Sequence, residues 1–274
     1  MKNSDIKVKA LAEKWYKKLS FPEKYDEEFK RLLETEEDFE DVSIADFDLE
    51  GHKDEYSRNV IRALYFCEEA SKFFEEKAIP EEIMLDTFSD IRFVIMKYTE
   101  IFGKLSLKGL DDWIFLHLSF KLFKVGRLQY QLRGAEGGAE HLGLAEGEPV
   151  LAVHIPRGEK LTVESALESF NSANEFFEKY FPEYEYRYFT CHSWMLDKTL
   201  CNMLSPDSNI IKFQKLFEHA LDVPLDAAFS FVFPYGITRD NVKDFEPKSS
   251  LQKNLKDYVL AGGELYYTFG IRKK

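Results

Sequence analysis

Residues 150–181 read VLAVHIPRGEKLTVESALESFNSANEFFEKYF, and local chemistry divides them into three parts. Val150, Leu151, Ala152 and Val153 form a short apolar run, the pattern of a buried strand. In His154-Ile155-Pro156-Arg157-Gly158 the proline lacks an N–H and the glycine permits φ > 0, so the strand ends in a turn. Thr162 then reads as a helix N-cap. Val163, Ala166, Leu167, Phe170, Ala173, Phe177 and Tyr180 make one apolar face of a helix running to about Phe181. A helix N-terminus at a strand end offers free backbone N–H groups and partial positive charge, a setting that suits an anionic group. Arg157, Gly158 and Lys160 stand where such a group would sit. Glu159 and Glu164 stand there too, so the side-chain charges cancel and only the backbone pulls on an anion.

The pattern continues on both sides. Downstream, strands are expected at 186–191, 228–233 and 265–271, separated by helices near 197–204, 208–220 and 249–260. Upstream, 125–132 alternates apolar and polar as a half-buried strand does. Residues 134–149 hold five of the fourteen glycines and four glutamates, which reads as a long exposed loop. Before that the chain looks helical. Tyr56, Val60, Leu64, Cys67 and Phe74 share a face. Met84, Phe88, Ile91, Ile95 and Tyr98 follow at helical spacing between Pro80 and Gly103. Residues 111–122 read as a short buried helix, and the acidic run 34–50 as a solvated connector with a few apolar anchors. This divides the chain into a mainly helical domain over 1–122 and an α/β domain over 123–274.

Composition narrows the function. The 274 residues carry 37 basic and 49 acidic side chains, a net charge of −12. Phosphate attraction dominates binding to nucleic acid and to anionic membranes, so neither is an expected partner. Cys67, Cys191 and Cys201 are odd in number and without C-x-x-C spacing, which argues against a disulfide framework or a zinc site. The lysine-rich start has no apolar run of a secretory signal, and a cytoplasmic location is the expectation. Dinucleotide, P-loop, nucleophile-elbow and zinc-protease motifs are absent from the sequence.

Two places can carry chemistry. Thr190-Cys191-His192-Ser193-Trp194 ends a strand, where reactive groups gather in α/β sheets. Cys191 and His192 are neighbours on an extended chain and point to opposite faces, which argues against a nucleophile–base pair or a shared metal. His154, after an apolar strand, is either a hydrogen-bonded core histidine or a working group at the strand's mouth.

FLHLSFKLFKVGRLQYQL, VLAVHIPRGEKL, FTCHSWMLDKTL and DSNIIKF, in that order, resemble a bacterial family of two-domain acyltransferase-like proteins. The resemblance covers roughly residues 85–235. It implies an α+β fold, a helical N-terminal domain packed on a GNAT-like mixed, mostly antiparallel sheet with flanking helices. One parallel pair of strands would splay to grip acetyl-CoA or another acyl-CoA, with no metal. The pyrophosphate loop falls on Ile155, Pro156, Arg157, Gly158, Lys160, Leu161 and Thr162. The usual pyrophosphate pattern, Q/R-x-x-G-x-G/A, is not reproduced there, since residues 157–162 read Arg-Gly-Glu-Lys-Leu-Thr. Gln131-Leu132-Arg133-Gly134 fits its first four positions. The implied activity is acyl transfer to a small amine or hydroxyl acceptor, with His154 or His192 as base and Ser193 or Cys191 near the leaving sulfur. The alternative is a non-catalytic small-molecule-binding protein on the same scaffold, which Glu159 and Glu164 favour.

Overall fold

The computed structural model describes residues 2–108, 110 and 112–274, and the chain divides into two compact units, 1–125 and 126–274. In the first unit, α1 (Asn3–Lys18) buries Val8, Ala12, Trp15 and Tyr16. Trp15 packs edge-on against Phe88, and its indole N–H donates to Glu68 at 2.8 Å. α2 (Asp26–Thr35) follows, then the long helices α3 (Tyr56–Glu76) and α4 (Glu81–Phe102). Gly103, at φ +70, ends α4 in the left-handed conformation that a side chain would disfavour. The acidic connector is held by more than scattered anchors. Arg58 donates to the carbonyls of Glu37 and Asp38, the Tyr65 hydroxyl donates to Asp41, and Glu69 accepts from the Ile44 N–H. α5 (Asp112–Leu118) is shorter than the helix expected over 111–122, and residue 111 lies outside the described residues. Phe120 takes φ +62 soon after it, and β1 (Leu122–Val125) closes the unit.

The second unit supplies five strands of a sheet, β2 (Leu128–Gly134), β3 (Pro149–His154), β4 (Tyr188–Ser193), β5 (Glu218–Pro224) and β6 (Tyr266–Lys273). They lie side by side in the order β2-β3-β4-β6-β5. The β3–β4 pair is parallel; β2–β3, β4–β6 and β5–β6 are antiparallel. Thus the chain is α+β, with a helical N-terminal unit and a mixed, mostly antiparallel sheet flanked by helices. α6 (Val163–Tyr180) covers one face. Its Phe170 and Phe177 meet Tyr130 of β2, and Phe170 also meets Phe189 of β4 with ring centroids 4.8 Å apart. Aromatic pairs of this kind add about 0.5–1.5 kcal/mol beyond the area they bury. The glycine-rich loop covers the other face. It is exposed over most of its length, as expected, and is pinned by Ala135, Ala139 and Leu144, which are buried against Val150, Phe269 and Ile271.

Three further expectations change. The alternating stretch 125–132 is not one strand, because Gly126 at φ +66 turns the chain between β1 and β2. A Cβ on Gly126 would stand 3.3 Å from the Ser169 backbone, so the turn also lets α6 approach. The helix expected over 208–220 stops early: α7 (Asn209–Gln214) gives way to β5, whose hydrogen bonds come from β6. The strand expected at 228–233 is a helix, α8 (Ala227–Val232). There Phe229 and Phe233, four apart, lie tilted with ring centroids 5.0 Å apart and pack with Val242, Leu255 and Val259 beside α9 (Ser250–Leu260). A six-residue apolar run has no length over which period 2 and period 3.6 separate. Among the described residues, no helix is long and apolar enough to cross a membrane.

Candidate functional site

β3 and β4 are hydrogen-bond neighbours over only Leu151↔Phe189 and Ala152↔Thr190. Beyond that point each keeps its other partner: β3 stays with β2 as far as His154, and β4 with β6 as far as Ser193. The two parallel strands therefore part from Val153 and Cys191 onward. At this parting, on the face opposite α6, lies a cavity of about 130 Å³, lined among others by Arg133, Glu136, His154, Thr190, His192 and Tyr267. A water's share of liquid volume is about 30 Å³, so the space admits a few waters or one small functional group.

The pleat explains which side chains reach it. Thr190 and His192 alternate with Cys191 and Ser193, so the first pair faces the cavity and the second does not. Cys191 is buried, and burial pushes its thiol up to about 12. The Ser193 hydroxyl caps the turn Trp194–Leu196 by accepting the Met195 N–H at 3.1 Å. Both histidines line the cavity. His154 is half-buried, with Nε2 3.0 Å from Oε1 of Gln131. His192, 36% exposed at its side chain, has Tyr267 at 4.5 Å and Phe269 edge-on at 5.7 Å. Its Nδ1 is 3.5 Å from Oε2 of Glu136. Burial holds its pKa below the ordinary histidine value; Arg133 acts the same way, and Glu136 opposes both. Neutral at pH 7, His192 is a proton acceptor.

The segment from Ile155 to Thr162 begins where β3 ends at His154. Ile155 and Pro156 are half-buried, Arg157, Gly158 and Lys160 are exposed, and Leu161 is buried. Gly158 takes φ +121, and Thr162 caps α6 through Ser165 in both directions, N–H to hydroxyl each way. The backbone at the start of α6 holds the Glu164 carboxyl below the usual carboxylate range. Arg127, which no local pattern singles out, supports this segment: Nη1 donates to the Pro156 carbonyl at 3.0 Å, while its buried Nε has no partner among the described residues. Glu136 and Tyr267 are equally silent in the sequence, and Gln131 stands out there only as the first residue of a pyrophosphate-like string. Pairing register and a loop fold bring them to the cavity, and neither leaves a local signal.

The sequence matches an N-acyltransferase N-terminal domain over residues 5–120 and a GNAT-like C-terminal domain over residues 122–272. The second match spans more than half of the chain. The chain belongs to the GNAT-like C-terminal domain family. No curated protein matches it. Solved structures of similar fold include an acyltransferase in complex with decanoyl-CoA and teicoplanin, and an acyltransferase mutant in complex with octanoyl-CoA. Each is 22% identical, with a TM-score of 0.74 over 96% of this chain and 87% of that one. A third, an acyltransferase in complex with decanoyl-CoA, has a TM-score of 0.69 at 22% identity, over 96% of this chain and 99% of that one. The likeness is one of fold. In this chain β3 and β4 part at the cavity that holds His154 and His192.

Proposed function

We propose that the protein is an acyl-CoA-dependent acyltransferase that acylates a small-molecule amine or hydroxyl. The observation that carries this reading is His192, neutral and lining the cavity where β3 and β4 part. The acyl-CoA thioester lies in that parting, with the pyrophosphate at Pro156, Arg157, Gly158, Lys160 and Leu161. The acceptor nitrogen or oxygen attacks the thioester carbonyl and His192 Nε2 takes its proton. The new C–N or C–O bond forms, the C–S bond breaks, and CoA leaves as a thiolate that is protonated to the thiol. The solved relatives bind octanoyl- or decanoyl-CoA, one of them with teicoplanin as well, which supports acyl-CoA as donor and a small molecule as acceptor.

The acyl group is proposed to be longer than acetyl. His192, Phe269 and Leu221 stand in one row across β4, β6 and β5, and Tyr267 pairs with Val223 in the next row. Partners in antiparallel register share a face, so an apolar strip leads from the cavity to the sheet edge. Phe269 is buried beneath the loop, so the open path runs from His192 past the half-buried Tyr267 to Val223 and Leu221, which are 40% and 45% exposed. Two strand spacings come to about 10 Å, a length a medium acyl chain covers and an acetyl group does not. Release of free CoA thiol from acetyl-, octanoyl- and decanoyl-CoA, measured against a panel of amines and alcohols, tests the proposal. Turnover that rises with chain length supports it. Tight CoA binding with no thiol release from any pair would leave a binding protein instead.

A further inference from the structure

Glu136 follows β2 on the loop that covers the sheet and carries the one carboxylate among the described residues that line the cavity. Oε1 pairs with the guanidinium of Arg133, three residues earlier, and Oε2 lies 3.5 Å from Nδ1 of His192. We infer that Glu136 is the positioning residue for His192, and that Arg133 limits its effect by sharing the carboxylate. The inference rests on His192 as the base of the proposed transfer.

A carboxylate beside Nδ1 favours the tautomer with the proton on that nitrogen. The lone pair is then on Nε2, the atom that takes the acceptor's proton, and the imidazolium formed there is stabilised by the same negative charge. At 3.5 Å the contact is loose, as such contacts often are before substrate binds. The backbone keeps it within reach. The Tyr184 hydroxyl, with one proton to give, lies 2.7 and 2.9 Å from the Arg133 and Val150 carbonyls, and the Ala135 and Gly147 N–H groups close a pair of hydrogen bonds across the loop's base. The groups around His192 come from four places: Arg133 and Glu136 from β2 and its loop, His154 from β3, Thr190 from its own strand, and Tyr267 with Phe269 from β6. Tyr267, whose hydroxyl burial pushes above the ordinary tyrosine value, is neutral at pH 7. Glu136 and Arg133 are therefore the two fixed charges that set how readily His192 accepts a proton, and they act in opposite directions.

That opposition makes the test sharp. Imidazole resonances of the free protein are titrated by NMR, with the His192→Gln spectrum assigning the His192 signal. Glu136→Gln should lower the His192 midpoint and Arg133→Gln should raise it. With the best acyl-CoA and acceptor, Glu136→Gln should lower kcat by roughly 10- to 100-fold with less change in KM, and Glu136→Asp should recover part of it. The acid limb of the pH–rate profile should move with the NMR midpoint in both variants. Midpoints that stay put, or that move the same way in both, overturn the inference, and so does a shifted midpoint with kcat unchanged. Opposite shifts in a protein with no acyl transfer at all would keep the Glu136–His192 pairing and sink the acyltransferase reading.

Discussion

Nε2 of His154 and Oε1 of Gln131 lie 3.0 Å apart across the β2–β3 pair, whereas His192 in the same cavity has a carboxylate as its partner. A neutral amide orients an imidazole but stabilises its charged form less than a carboxylate does. The two histidines should therefore respond differently to removal. His154→Ala is expected to cost about 1 kcal/mol of stability through the lost hydrogen bond and to lower kcat less than tenfold. His192→Ala should leave the melting temperature close to that of the parent and lower kcat by about 10²–10⁴-fold. Urea unfolding and single-substrate kinetics on both variants decide it. The reverse pattern would make His154 the base.

The pH dependence has a fixed sign. Burial lowers the folded-state pKa of His192, so the unfolded chain binds its proton first as pH falls. His192 therefore adds no penalty above the unfolded value, about 6.5, and destabilises the fold progressively as pH drops below it. Activity should persist below that value too, since the working form is neutral. A kcat/KM profile with its acid midpoint below 6.5, and without that limb in His192→Gln, is the expected result. An acid midpoint above 7 in the parent protein would contradict the burial argument.

Charge around the turn after β3 gives another prediction. Glu159 is exposed, and Glu164 sits in the first turn of α6. Replacing both with Gln removes two negative charges from the proposed pyrophosphate position and should tighten CoA binding several-fold; Arg157→Glu should weaken it. Both effects should shrink in high salt, because these side chains are solvated. Calorimetric titration of CoA at two ionic strengths measures them. Affinity indifferent to both changes would move the phosphates elsewhere, to the glycine-rich loop 134–148.

What the sequence discloses follows from how far apart the deciding residues are. The β3–turn–α6 unit was legible because Val150 to Thr162 carry every signal it needs: an apolar run, Pro156, Gly158 and a capping threonine. His192 was legible as a strand-end group. That Cys191 and Ser193 face away from it follows from the pleat, so its neighbours on the chain are not its partners in space. Those partners come from loop folding and register. Glu136 is set by how residues 135–148 lie on the sheet, and Tyr267 by the pairing of His192 with Phe269. The exchange of strand and helix at 218–224 and 227–232 has the same origin. Glu218–Pro224 is a strand because β6 offers it an edge, and nothing within those seven residues says so.

The core beneath the site should be intolerant of a one-atom change. The Ser169 hydroxyl, 1% exposed, accepts the Leu128 N–H at 3.1 Å and pairs with the Tyr130 hydroxyl at 2.9 Å. Removing it leaves two buried polar groups short of a partner, and each such group costs about 1–3 kcal/mol. Ser169→Ala is thus expected to destabilise by about 3 kcal/mol. Tyr130→Phe removes one hydroxyl and leaves the serine its backbone partner, so it should cost about 1 kcal/mol. Because the two residues share one network, the double variant should cost less than the sum of the singles. Denaturant midpoints of the three variants, with m unchanged, measure this coupling. Strict additivity would mean that Ser169 and Tyr130 stabilise the sheet–helix junction independently, and that their hydrogen bond adds nothing to how firmly α6 holds the strand pair that opens at the site.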